Sequence, residues 1–235
     1  MALLEFKSDV WDAANTGNLH ALVTALASHP HLIDTPHPHK LGEKTPMYIA
    51  AEKGHVEIIT KLVELGSHAI DTPARDGCTP MFAATWNGHV LAIETLVRLG
   101  SKAIDTPNND GWTPMFAAAL NGHVSAIETL VRLGSTAIDT PDNDGWTPVC
   151  WAARRGYTGC LKTLKLLGAD CSTDGISDRE MISDEMVELL NARVDEDEAW
   201  EVRYRVYFRQ SLVDRLLLEV DVQHHRRMSE VGSRS

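Results

Sequence analysis

Imidazoles are the first groups in this sequence that could do chemistry. His29, His31, His37 and His39 lie within one short stretch, and an HxH spacing can offer nitrogen ligands to zinc. Prolines separate these histidines and no cysteine accompanies them, so the expected structure is a stiff polar loop without a metal. His55, His89 and His123 each follow the glycine of a turn. A base at those places would need a carboxylate or a nucleophile beside it, which the pattern does not supply, so turn hydrogen bonding is expected. Cys78, Cys150, Cys160 and Cys171 form no CxxC pair and sit in repetitive or helical contexts, which reads as reduced packing residues. The glycines are scattered turn residues and build neither a phosphate loop nor a dinucleotide fingerprint. Arg226-Arg227-Met228-Ser229 has the pattern of a basophilic kinase site, making Ser229 a candidate for phosphorylation. These groups make up no catalytic constellation, and the expectation is a non-enzymatic chain with no cofactor.

Charge narrows the partners. A formal net charge of -11 disfavours nucleic acid, whose phosphates are met by cationic surfaces. From Met1 to His20 no basic stretch leads into an apolar one, and no apolar run approaches the roughly 20 residues of a membrane helix. The expectation is an intracellular protein without a membrane segment, cytoplasmic or nuclear, and monomeric unless the C-terminal tail pairs two copies.

The elements that carry these residues recur. Thr45-Pro46, Thr79-Pro80, Thr113-Pro114 and Thr147-Pro148 are spaced by 34 residues, so one supersecondary unit is copied. The copies beginning at Asp76 and Asp110 differ at six aligned positions, among them Cys78 for Trp112, Trp86 for Leu120 and Leu91 for Ser125. Within a copy, Asp110-Gly111 supplies a turn, Thr113 caps a helix, and Pro114 takes the first helical position, where no N–H is needed. This first helix runs through Met115 to Ala119 and stops at Asn121-Gly122. Val124, Ile127, Leu130, Val131 and Leu133 then form one apolar stripe on a second helix that ends at Gly134. Small alanines on the first helix allow close approach, and larger residues on the second fill the space between copies. One helix pair buries too little to offset its chain entropy, so neighbours must share a core.

These residues resemble the ankyrin repeat, whose pattern is a glycine turn, then T-P-L-H-x-A-A, then G-H, then an apolar helix ending in L-L-x-x-G-A. The likeness covers about Val10 to Ser172 in five units, approximately 8–40, 41–74, 75–108, 109–142 and 143–175, giving a repeat domain over 1–175. Unit one keeps Trp11, Ala13, Ala14, Gly17 and Leu22 without Thr-Pro, as an N-terminal cap would. Unit two has Gly42-Glu43-Lys44 in place of the usual turn, and the family's histidine is replaced by Tyr48, Phe82, Phe116 and Cys150, so packing is expected to substitute for its hydrogen bonds. Three units carry an extra residue after the second helix, which a loop absorbs. Asp34, Asp71, Asp105 and Asp139 stand where many relatives have an asparagine that can be hydroxylated.

The resemblance implies an all-α solenoid that binds a protein through its turn tips and the exposed side of each first helix. In this sequence those places are Arg75, Asp76, Cys78, Trp86, Asn87, Asn109, Asp110, Trp112, Leu120, Asn121, Asn143, Asp144, Trp146, Arg154 and Arg155. Trp86, Trp112 and Trp146 are the sharpest candidates, because large aromatics on a solvated surface dominate interface energetics; packing within the turn is the competing role.

Residues 176–235 depart from the repeat and read as a helical extension with a frayed end. Ser177-Asp178-Arg179-Glu180 has the form of a capping box opening a helix that carries Met181, Met186, Leu189 and Leu190. Trp200, Val202, Tyr204, Val206 and Phe208 alternate as a strand does, whereas Val206, Val213, Val220 and Leu212, Leu216, Leu217 fit a helix. Helix is preferred, because no second strand is available for pairing. The extension either covers the core of unit five or recruits a second protein. The sequence therefore leads to an adaptor, with a regulatory or substrate-recruiting module of a kinase or ubiquitin-ligase assembly as the alternative.

Overall fold

The computed structural model describes residues 10–37, 42–171 and 183–193, together with 199, 202, 203 and 206. All regular structure among these residues is helical. Helix α1 includes residues 10–16 and pairs with α2 (Leu19–Ser28). Four further pairs follow: α3 (Pro46–Lys53) with α4 (Val56–Glu64), α5 (Pro80–Trp86) with α6 (Val90–Arg98), α7 (Pro114–Leu120) with α8 (Val124–Arg132), and α9 (Pro148–Arg154) with α10 (Thr158–Leu167). Helix α11 spans Asp184–Asn191.

Each first helix starts for the reason its sequence gives. Thr45, Thr79 and Thr113 accept a hydrogen bond from the backbone N–H of Tyr48, Phe82 and Phe116, and proline occupies the first position. Thr147 departs from this rule, since its hydroxyl turns to Cys150 Sγ at 3.1 Å and caps nothing. Glycines end the helices with left-handed backbone, as at Gly122 (φ 78°) and Gly134 (φ 95°). The turn before α3 solves the missing glycine differently: Gly42 and Glu43 are both left-handed, at φ 59° and 64°.

First helices stack on first helices (α3, α5, α7, α9) and second helices on second helices (α2, α4, α6, α8, α10), so the core is one continuous two-layer slab. Ala84, Ala118 and Ala152 lie within it at 0% exposure, and so do the stripe residues Ile58, Leu62, Ile93, Leu96, Ile127, Leu130, Leu161 and Leu164. Each such aliphatic side chain stabilises the stack by about 1.5–3 kcal/mol. The segments expected as plain loops after the second helices contain 3-10 turns at Ala69–Asp71, Ala103–Asp105 and Ala137–Asp139, each burying its alanine.

The C-terminal segment covers the last pair. Helix α11 packs on α9 and α10, and Leu190, Ala199, Val202 and Val206 join the core of the stack. Lys165 Nζ donates to the carbonyls of Leu189, Leu190 and Ala192 at 2.5, 2.8 and 2.6 Å, satisfying the end of α11. Arg203 Nε donates to the Leu166 carbonyl at 2.9 Å. Ala199, Val202 and Arg203 are helical and Val206 lies in a π turn. The capping box at Ser177 to Glu180, the residues Trp200, Tyr204 and Phe208, and Ser229 lie outside the described residues, as does His39. No described helix is long and apolar enough to cross a membrane.

Candidate functional site

Three hydrogen-bond ladders fix one helix pair against the next. His55, His89 and His123 donate from Nε2 to the carbonyls of Asn15, Glu52 and Trp86 at 3.1, 3.1 and 3.0 Å. These bonds run between pairs, so the histidines are inter-repeat staples and hold no partner for base chemistry. Along a second line, Asp34, Asp71 and Asp105 accept from the hydroxyls of Ser67, Ser101 and Ser135 at 2.6, 2.5 and 2.5 Å, and from the backbone N–H of the following residue. Asp139 accepts from the N–H of Asp170 at 2.8 Å, where Ala169 replaces the serine. The third line joins the turn tips: Asn109 and Asn143 donate from Nδ2 to the carbonyls of Arg75 and Asn109 at 3.2 and 3.1 Å. A side chain at Gly77 would come within 2.5 Å of Asn109 Oδ1, so only glycine fits beneath this staple.

With the pairs locked in register, the first helices and turns align their aromatic rings. Phe82 stacks on Trp86 (5.8 Å between centroids), Trp86 on Trp112 (5.9 Å, planes 8° apart) and Trp112 on Phe116 (5.3 Å). Phe116 meets Trp151 edge-on at 5.8 Å, and Trp151 tilts against Trp146 at 5.5 Å. Arg154 closes this row with its guanidinium 5.1 Å from the Trp146 ring and 4.5 Å from the Trp151 ring. At the other end Lys44 sits 4.8 Å from the Tyr48 ring and pairs with Glu52 at 2.8 Å. Packing has thus taken over from the hydrogen bonds of the family's histidine, as expected for Tyr48, Phe82 and Phe116.

A pocket of about 250 Å³ opens in this aromatic row at α3, α5 and the turn before α7. Tyr48, Phe82, Trp86 and Trp112 form its walls, Cys78 lies at its inner side, and Glu52, Asp76 and Asp110 stand around it. Burial pushes the Cys78 thiol up to about 12; a hydrogen bond from Asn108 opposes it, and the Asp76 and Asp110 carboxylates make lesser upward contributions. The Tyr48 hydroxyl is raised by burial and by the Cys78, Asp76 and Glu52 charges. Burial is the main cause of both shifts, and the carboxylates act in the same direction. A thiol held neutral in this way is no nucleophile.

The residues expected to meet a partner divide by exposure. Arg75, Asp76, Asn87, Asn109, Asp110, Asn143, Asp144 and Arg155 are exposed along the turn tips and helix ends. Trp86, Trp112, Asn121 and Arg154 are half-buried. Leu120 and Trp146 correct the sequence reading: both are 4% exposed, Leu120 inside the helix stack and Trp146 under Arg154 and Trp151, so neither presents a surface. Cys78, at 6%, shows little surface of its own. Asn87 and Asn121 also have a structural task, donating to the carbonyls of Ala83 and Ala117 at the ends of their helices.

Tyr48, Phe82, Glu52, Asn108 and Trp151 were missed as members of this face. The signal was present as spacing for one pair: Phe82 and Trp86 are four residues apart on α5, the separation that stacks side chains on one helical edge, whereas Trp112 reaches Phe116 from the turn before α7. Among the described residues no three histidine, cysteine or carboxylate side chains gather as a metal site.

A family model described as ankyrin repeats (3 copies) matches residues 10–106 and 93–174. No curated protein matches the sequence significantly.

Proposed function

The chain belongs to the ankyrin repeat family, whose members are generally protein–protein interaction modules, and from that premise we propose that it is a non-enzymatic cytoplasmic adaptor. Its partner docks on the turn tips and the aromatic side of the first helices. The observation that supports this reading most is the contrast within one face. Asp76 and Asp110 stand beside half-buried Trp86 and Trp112, and Arg75 and Asp144 extend the charged line along the turn tips, the combination of polar rim and aromatic centre found in protein interfaces. The stapled turns hold that face in advance of binding, which lowers the ordering cost of association. The described part of the C-terminal segment spends its apolar side on α9 and α10, which favours a capping role over recruitment of a ligase or kinase.

The test uses the full chain and exposed residues away from the pocket. Wild type and the double variant Arg75→Glu, Asp144→Arg are used as baits in affinity capture from cell extract, with thermal unfolding as a control. Proteins retained by wild type are expected to be lost by the variant, while stability changes by no more than about 0.5 kcal/mol, as for ordinary surface substitutions. Retention of the same proteins by both baits would place the docking surface elsewhere.

A further inference from the structure

The pocket exists because one copy lacks an indole. Cys78, Trp112 and Trp146 hold the same place in successive units, and the sequence around Cys78 is nearly identical to that around Trp112. Trp112, in the turn before α7, lies between Phe116 of that helix and Trp86 of α5. Carried back by one repeat, that ring would lie between Phe82 and the position of Glu52. Cysteine leaves this slot open, with a carboxylate on the side where the next slot has a tryptophan. Its volume of about 250 Å³ lies below the roughly 300–1,000 Å³ of sites for drug-sized ligands, so it suits a single side chain.

The protein's own cations show what such a surface attracts. Arg154 covers Trp146 and Trp151, and Lys44 covers Tyr48 while pairing with Glu52. Between these two ends, the rings of Trp86 and Trp112 border a space edged by the exposed carboxylates of Asp76 and Asp110. Aromatic faces and carboxylates both favour a positive group, and a partly desolvated site strengthens that preference.

We infer that this pocket receives an arginine or lysine side chain from a basic segment of the partner protein, held between the indoles and the Asp76 and Asp110 carboxylates. The inference rests on the adaptor reading and adds to it the chemistry of the bound segment. The formal net charge of -11 gives the same preference at longer range, drawing a basic segment towards the chain.

The probe is a blocked pentapeptide with one arginine flanked by glycines, at millimolar concentration and physiological salt, followed through the indole N–H resonances of the full chain. A lysine peptide serves as the second cation, and a peptide with citrulline in place of arginine serves as the uncharged isostere. Both cationic peptides are expected to shift Trp86 and Trp112, and the citrulline peptide to leave them in place. Cys78→Trp, which installs the residue of the next two units, is expected to abolish the shifts. Asp76→Asn with Asp110→Asn keeps the pocket's shape and is expected to weaken binding at least about 10-fold, equivalent to 1.4 kcal/mol. Equal shifts from citrulline, unchanged binding by Cys78→Trp, or no shift from any peptide would overturn the inference. Because Arg75 and Asp144 do not line the pocket, capture that depends on them alongside a silent pocket would leave the adaptor reading standing.

Discussion

Units three and five were copied from one pattern, yet their aromatic faces ended differently. Near α5 the row is open: Cys78 replaces an indole, Ala83 stands where unit five has Trp151, and Asn108 of the next turn points its amide to Cys78 Sγ at 3.6 Å. Near α9 it is sealed. Trp146 and Trp151 fill the corresponding places, and Asp142 stands where unit three has Ala74. Asp142 Oδ2 accepts from Trp151 Nε1 at 3.2 Å, its Oδ1 accepts from the backbone of Trp146 at 2.8 Å, and Arg154 lies over both rings. A donor appears with an acceptor to meet it, and a ring with a cation to cover it. A few substitutions therefore convert the same backbone from a receptive surface to a finished one.

The comparison is broken most severely at the phenylalanines. Phe116 is 0% exposed and wedged between Trp112 and Trp151, whereas Phe82 is 4% exposed and borders the pocket. Phe116→Ala is expected to cost about 3–5 kcal/mol in urea unfolding, the usual range for a fully enclosed ring. Phe82→Ala should cost less by at least about 1 kcal/mol, because the lost ring already has an open side and its cavity merges with existing space. Equal losses would mean that the pocket is closed in solution and the two regions are alike.

A smaller effect is expected at the seal. Arg154→Gln retains most of the stem and removes the charge over Trp146 and Trp151, and should lower stability by about 0.5–2 kcal/mol, the range for a cation on aromatic rings. High salt should leave most of this difference in place, since the guanidinium is half-buried. A variant as stable as wild type would make Arg154 a surface residue available to the partner.

The scaffold was legible because its devices are local. Thr-Pro, Asn-Gly and the apolar stripe each act within one helix pair, so their spacing is sufficient to place the helices. The ladders were less legible, because a bond such as His89 to Glu52 joins residues 37 apart and appears only when pairs are stacked. Burial at the face was the poorest reading. Trp86, Leu120 and Arg154 share one repeat position, but exposure at that position depends on what the neighbouring unit supplies, and Leu120 is enclosed by its neighbours. The pocket could have been read from Cys78 standing where two copies carry tryptophan, a missing volume visible by alignment of the units with each other.

The mildest test uses alkaline pH, because it leaves the contacts intact while it loads the thiols. Burial raises the Cys78 thiol to about 12 and the Cys160 thiol to about 11, from an ordinary value of 9.0. Below the ordinary value both folded and unfolded chains keep these thiols protonated, and pH has no leverage through them. Between 9 and 11 the unfolded chain releases the protons while the folded chain retains them, so stability falls as pH rises. The urea midpoint is expected to decline steadily over that interval. Cys78→Trp should flatten part of the decline, since it removes the thiol in the electronegative pocket, whereas Cys160→Ala removes a thiol raised by burial alone. If Cys160→Ala flattens the curve and Cys78→Trp does not, burial does not hold the Cys78 proton, and the Cys78 side of the pocket is open to water in solution.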